Sequence, residues 1–78
     1  MTKTAFLAAY EAQLPKVHAW AMDPQRLENF MSAIRTYVRD NRRAWLWNSP
    51  SSQAAWRAIG CKGRISFKAL CALPDGEV

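Results

Sequence analysis

Residues 23–43 read DPQRLENFMSAIRTYVRDNRR, and this stretch decides the fold class. It opens with Asp23-Pro24. An aspartate side chain accepts from the free N–H groups of a first helical turn, and proline suits the first helical position. Leu27, Phe30, Met31, Ile34 and Val38 then recur at three- and four-residue intervals. Trp45 continues the same face, with Tyr37 and Asn41 at its edges. Such a stripe marks an amphipathic helix. No Gly or Pro interrupts residues 25–49. The pattern predicts one long helix over residues 24 to about 43, with position 47 as its outer limit.

Working upstream, Phe6, Leu7, Tyr10 and Leu14 recur at helical spacing among Ala5, Ala8, Ala9 and Ala12. This predicts a helix over residues 4–14, with Thr2 or Thr4 as its cap. Pro15 breaks, kinks or restarts it, and Val17, Trp20 and Ala21 support one or two further helical turns. Downstream, Ser49-Pro50 repeats the start signal. A helix over residues 50–59 follows, with Ala54, Ala55, Trp56, Ala58 and Ile59 as packing candidates and Gly60 as its stop. Residues 61–64 form a short basic turn. Ser66 can cap a last helix over residues 66–73 that carries Phe67, Leu70 and Cys71. A short strand over residues 64–68 is the alternative, because Ile65-Ser66-Phe67 alternates. The expected fold is all-α: a small single-domain bundle over residues 1–78, with four to five helices around one long central helix.

Size and composition exclude several function classes. A chain of 78 residues fits one domain and buries roughly 60% of its unfolded surface. It is too small for a Rossmann domain, a TIM barrel or most cofactor clefts, so a self-contained enzyme is not expected. Four Trp, three Phe and two Tyr in a half-hydrophobic chain argue against intrinsic disorder. No run approaches the ~18 apolar residues of a membrane span. The uncharged stretch 4–10, preceded by Lys3 alone, is short for a signal-peptide core. The expected location is cytoplasmic, with no membrane partner.

Cys61 and Cys71 stand ten apart, with His18 far away. That is not metal-ligand spacing, and no metal or other cofactor is expected. Two thiols are the default in a reducing compartment, with a single disulfide as the alternative. His18 has no motif relation to a nucleophile or carboxylate and reads as a helical histidine beside Trp20. Glu11, Asp23, Glu28 and Asp40 show no paired-carboxylate logic. Neither Gly-containing turn has phosphate-cradling spacing.

Charge is the most informative feature. The net charge of +5 is not spread evenly. Residues 1–34 are neutral, whereas residues 35–73 carry eight cations (Arg35, Arg39, Arg42, Arg43, Arg57, Lys62, Arg64 and Lys68) against Asp40 alone. At 100° per residue from Leu27, Arg42 falls near about 60°, Arg35 near 80°, Arg39 near 120° and Arg43 near 160°. All four leave the apolar face on the same side. Arg35 with Arg39, and Arg39 with Arg43, are like-charge pairs four apart, each costing a few tenths of a kcal/mol. One explanation is a solvated face whose arginine stems cover apolar surface, with Arg42 and Arg43 favoured at a helix C-terminus. The other is a surface that faces an anion.

Residues 49–73 read helix, Gly-containing turn, helix. The placement of Ala55, Ile59, Gly60, Phe67 and Leu70 resembles a helix-turn-helix DNA-binding unit. That resemblance implies a second helix in the major groove presenting Arg64, Ser66 and Lys68, with Lys62 and Arg57 near phosphates. Two departures stand out. Trp56 or Ala55 occupies the place of the motif's small residue, and the two-glycine turn is longer than the usual compact one. Trp47 falls about 200° round the helix from Leu27 if that helix continues, and one of Trp45, Trp47 and Trp56 is expected to stand half-buried beside Arg42, Arg43 and Arg57. Trp with Arg is typical of interface hot spots and of base stacking.

Two function classes follow. The first is a small non-enzymatic nucleic-acid-binding regulator using the basic face of residues 35–68. The second is a protein-interaction module docking on an acidic partner, as small accessory or inhibitor proteins of phage and mobile elements do. A homodimer would supply buried area that a chain this small lacks.

Overall fold

A computed structural model describes residues 1–42 and 49–76. In chain order the elements are α1 (Lys3–Val17), a 3₁₀ turn (Ala19–Met22), α2 (Pro24–Arg39), α3 (Pro50–Ala58) and α4 (Phe67–Cys71). There is no strand among the described residues. Residues 64–66 run as loop into α4, so the strand alternative is not adopted.

Each helix starts on a side chain that satisfies a free amide. Thr2 accepts from the Ala5 N–H at 3.0 Å and Asp23 from Gln25 at 3.0 Å. Ser49 accepts from Ser52 at 3.2 Å and Ser66 from Ala69 at 3.1 Å. Pro follows the cap directly in α2 and α3. These are the start signals legible in the sequence.

Helix ends are less regular. α1 runs through Pro15 to Val17 instead of stopping at it. Pro15 lies in the last turn, so one amide is lost where the ladder is about to end. The His18 N–H still reaches the Leu14 carbonyl at 2.8 Å.

α2 ends at Arg39, a turn short of the expected residue 43. Asp40 is its C-cap, and Asn41 takes a left-handed φ of 52°. The Arg42 N–H donates to Tyr37 at 2.9 Å and the Asn41 N–H to Val38 at 3.2 Å. This is a Schellman stop built on asparagine, whose short polar side chain tolerates that backbone region. Gly60 ends α3 in the same way at φ 91°, with the Cys61 N–H reaching Trp56 at 3.2 Å. Arg43, Trp45 and Trp47 lie outside the described residues, as does any helix beyond α2 toward residue 47.

Among the described helices α1, not the expected α2, makes the most extensive contacts. α1 packs most extensively against α3, and also meets the 3₁₀ turn and α2. Phe6, Tyr10 and Leu14, one turn apart, are nearly wholly buried. On the inward face of α3 the small residues Ser51, Ser52 and Ala55 are buried together with the large Trp56. The Phe6 ring stacks on Tyr10 at 6.0 Å and meets the Trp56 indole near-perpendicularly at 6.5 Å. Met31, Ile34 and Val38 of α2, with Ile65 and Leu70, complete the core. Leu27 and Phe30, expected within it, lie at its margin. Both cysteines are free thiols and half-buried, so Cys71 is less enclosed than its apolar surroundings suggest.

Buried Ser52 is not a stranded polar group. Ser49 and Ser52 hydroxyls stand 3.0 Å apart, and both hydrogen-bond with the Tyr10 side chain. Burial pushes the Tyr10 phenol above its ordinary pKa, and these hydrogen bonds partly oppose the rise.

The chain then closes on its own beginning. The Lys3 N–H donates to the Pro74 carbonyl at 2.8 Å, and the Thr4 N–H and Oγ1 donate to the Asp75 carbonyl at 3.2 and 2.8 Å. Two amides of the first turn of α1, which no helical carbonyl can reach, are satisfied this way. Among the described residues no helix is long and apolar enough to cross a membrane.

Candidate functional site

Two sets of basic residues contrast; outside them Lys3 pairs with Asp75 at 3.2 Å, and Lys16 at the end of α1 is exposed with no ion-pair partner among the described residues. In the first, the three arginines of α2 each face a carboxylate. Arg35 bonds Glu28 at 2.9 Å and Glu11 at 3.2 Å, tying α2 to α1. The hydrogen bond to Glu28 is the main reason its pKa rises further above the ordinary guanidinium value. Arg39 bonds Asp40 at 3.1 Å, and Arg26 lies 3.8 Å from Asp23. The Arg39 hydrogen bond holds the Asp40 carboxyl below its ordinary range, with Arg42 adding to the effect. Arg35 and Arg39 therefore stand in a charge-compensated layer, which their spacing along α2 alone does not reveal. They border a shallow groove of about 690 Å³ between α1 and α2, whose floor includes Leu7 and Ala8.

The second set is different. Residues 49–74 contain Arg57, Lys62, Arg64 and Lys68 and no Asp or Glu. All four are exposed, and none has an ion-pair partner among the described residues. Arg57 lies in the last turn of α3, Lys62 and Arg64 in the following loop, and Lys68 in α4. Ser66 sits between them as the cap of α4, so its hydroxyl is already used.

The loop is held by Gln53. Its Nε2 donates to the Gly63 carbonyl at 3.0 Å, and its Oε1 accepts from the Ile65 N–H at 2.9 Å. Gln53 and Arg57 are four apart on α3 and share a face. The Gln53-bound loop and Arg57 are thereby brought to one side of that helix. Sequence reasoning missed Gln53. A lone glutamine inside a helix carries no signal unless its loop partner, ten to twelve residues on, is known.

The tryptophan candidates fare unevenly. Trp56 is 5% exposed and belongs to the core. Its indole N–H is buried without a hydrogen-bond partner and is not available to a ligand as a stacking surface. Trp47 and Arg43 lie outside the described residues. His18 stacks on Trp20 at 5.5 Å, but it is not the expected helical histidine: its backbone is extended (φ −125°, ψ 123°) between α1 and the 3₁₀ turn. The two line a cavity of about 440 Å³ with Tyr10, Leu14 and Phe30. Its lining is mostly aromatic and apolar, with His18, Tyr10, Ser49 and Ser51 as the polar residues among it. Among the described residues no group of His, Cys, Asp and Glu could hold a metal ion.

No protein-family model, no curated protein and no solved structure matches the chain.

Proposed function

We propose that this is a small non-enzymatic nucleic-acid-binding protein that contacts the phosphate backbone through Arg57, Lys62, Arg64 and Lys68. The observation that carries the reading is the contrast in charge compensation. Every arginine of α2 has a carboxylate beside it, while the four cations after residue 56 have none among the described residues. Unpaired, exposed cations can neutralise phosphates and release the counterions condensed on a nucleic-acid backbone. A regulatory role in the cytoplasm belongs to the same reading.

The helix-turn-helix-like reading of residues 49–73 sharpens the mode of binding. Its second helix has only five residues, so it is about 7 Å long. Arg64 stands in the turn before it, Ser66 is its cap, and Leu70 faces the core. Few side chains remain to read base edges, which favours phosphate contact over base readout. An acidic protein partner is less well supported. Interface hot spots centre on aromatic anchors, and among the described residues Trp56, the indole nearest the cations in sequence, is buried.

The test is a gel shift with an arbitrary DNA duplex at low salt. A complex that dissolves as salt rises supports the proposal. No complex at the lowest salt overturns it.

A further inference from the structure

Gln53 is half-buried on α3, yet both ends of its carboxamide are spent on a loop ten to twelve residues away. The two backbone groups it holds, the Gly63 carbonyl and the Ile65 N–H, flank Arg64 on either side. Three further features fix the same short segment. Gly63 takes a φ of 79°, in the region that favours glycine, and a Cβ built there would meet nothing within 4 Å. The glycine therefore serves the backbone conformation and not a close approach. Ile65 is 3% exposed and anchors the segment in the core. Ahead of it, the Gly60 stop returns the chain to α3 through the bond from Cys61 to Trp56. Lys62 and Arg64 thus extend into solvent from a turn fastened at both ends, on the side of α3 that carries Arg57.

We infer that Gln53 is a positioning residue of the basic surface, holding the turn that carries Lys62 and Arg64 in register with Arg57 for contact with phosphate. The inference rests on the nucleic-acid reading above. Charges presented on an ordered backbone lose less freedom when they bind than charges on a loose loop. A lone cation on a mobile loop gains little from a fixed neighbour, whereas cations held in register can span successive phosphates. Gln53 touches no ligand itself. Its contribution is to make Arg64 count.

A double-mutant cycle on the full chain tests this. Wild type, Gln53→Met, Arg64→Ala and the double variant are titrated against a short mixed-sequence DNA duplex by fluorescence anisotropy over a salt series. Methionine keeps the length of the side chain and removes both hydrogen bonds. Gln53→Met is expected to weaken binding about three- to tenfold and to lower the salt slope by about one, with helicity by circular dichroism unchanged. In that background Arg64→Ala should cost little more, whereas Lys68→Ala, outside the clamped turn, should add its full effect. Gly63→Ala strains the same turn without touching α3 and should reproduce the loss, which keeps the test valid if Gln53→Met fails to fold. The inference is overturned if both variants bind like wild type, or if the Gln53 and Arg64 effects simply add. If wild type binds no duplex, the nucleic-acid reading fails and takes this inference with it. If wild type binds and the cycle is additive, only the role of Gln53 fails.

Discussion

The arginines of α2 and the cations of the α3–α4 segment are treated in opposite ways. Arg35 bridges Glu11 of α1 and Glu28 of α2, and Arg39 bonds the helix-capping Asp40. Arg57, Lys62, Arg64 and Lys68 lie in a stretch without any acid. In the first region arginine joins two helices. In the second the cations do nothing visible for the fold. Charge that serves packing is met by countercharge, and charge that is left unmet is the better candidate for a partner.

The largest effect should come from removing what the two regions share. Phe6 on α1 meets Tyr10 on its own helix and Trp56 on α3 and is fully buried. Phe6→Ala should cost about 3–5 kcal/mol, enough to abolish the cooperative thermal transition and any binding with it. Retention of a wild-type melting temperature would mean that α1 is not the centre.

Charge reversal should then separate the regions. Arg57→Glu with Arg64→Glu is expected to weaken duplex binding by roughly a hundredfold or more at low salt while leaving the melting temperature near wild type. Arg35→Glu should do the reverse. It places three carboxylates together and should lower stability by roughly 1 kcal/mol, with little change in affinity beyond the net-charge difference. Equal losses of affinity from both would erase the distinction.

Much of the frame was legible in the sequence, because capping chemistry is local. Thr2, Asp23, Ser49 and Ser66 all begin helices, and Gly60 ends one. Apolar spacing also located Phe6, Tyr10, Leu14, Met31, Ile34 and Val38 in the core. What spacing could not show was tertiary. Asn41 as a helix stop competes with an unbroken helical pattern, and only the bonds from Arg42 to Tyr37 and from Asn41 to Val38 reveal it. Ser51 and Ser52 look like solvent-facing residues of a first turn until α1 packs over them. The same limit applied to the basic face. A helical wheel placed Arg35 and Arg39 beside Arg42, but the carboxylate neutralising Arg35 from across the groove belongs to α1, 24 residues away.

Two smaller effects probe each region separately. Gly63→Ala puts a Cβ on a left-handed backbone and should cost about 1 kcal/mol, seen as a lower melting temperature and weaker binding with α1 and α2 undisturbed. In the α1–α3 contact, the raised pKa of the Tyr10 phenol gives a pH signature. The folded state favours the neutral phenol more than the unfolded state does. Its stabilising contribution is therefore complete below the ordinary value of 10.0 and is lost as pH rises from there through the folded-state value. Denaturant midpoints followed from neutral into alkaline pH should fall in wild type, and less steeply in Tyr10→Phe. Identical slopes would remove Tyr10 as the cause.

The most direct measurement is the salt dependence of duplex binding, compared between wild type and two pairs of variants. Four unpaired cations predict a slope of log K against log salt of about −3 to −4. That slope should shrink by about two in the Arg57→Ala, Arg64→Ala protein and stay nearly constant in the Arg35→Ala, Arg39→Ala protein. A slope that falls with the α2 arginines and not with Arg57 and Arg64, or no binding at the lowest salt, contradicts the assignment of the basic surface to residues 57–68.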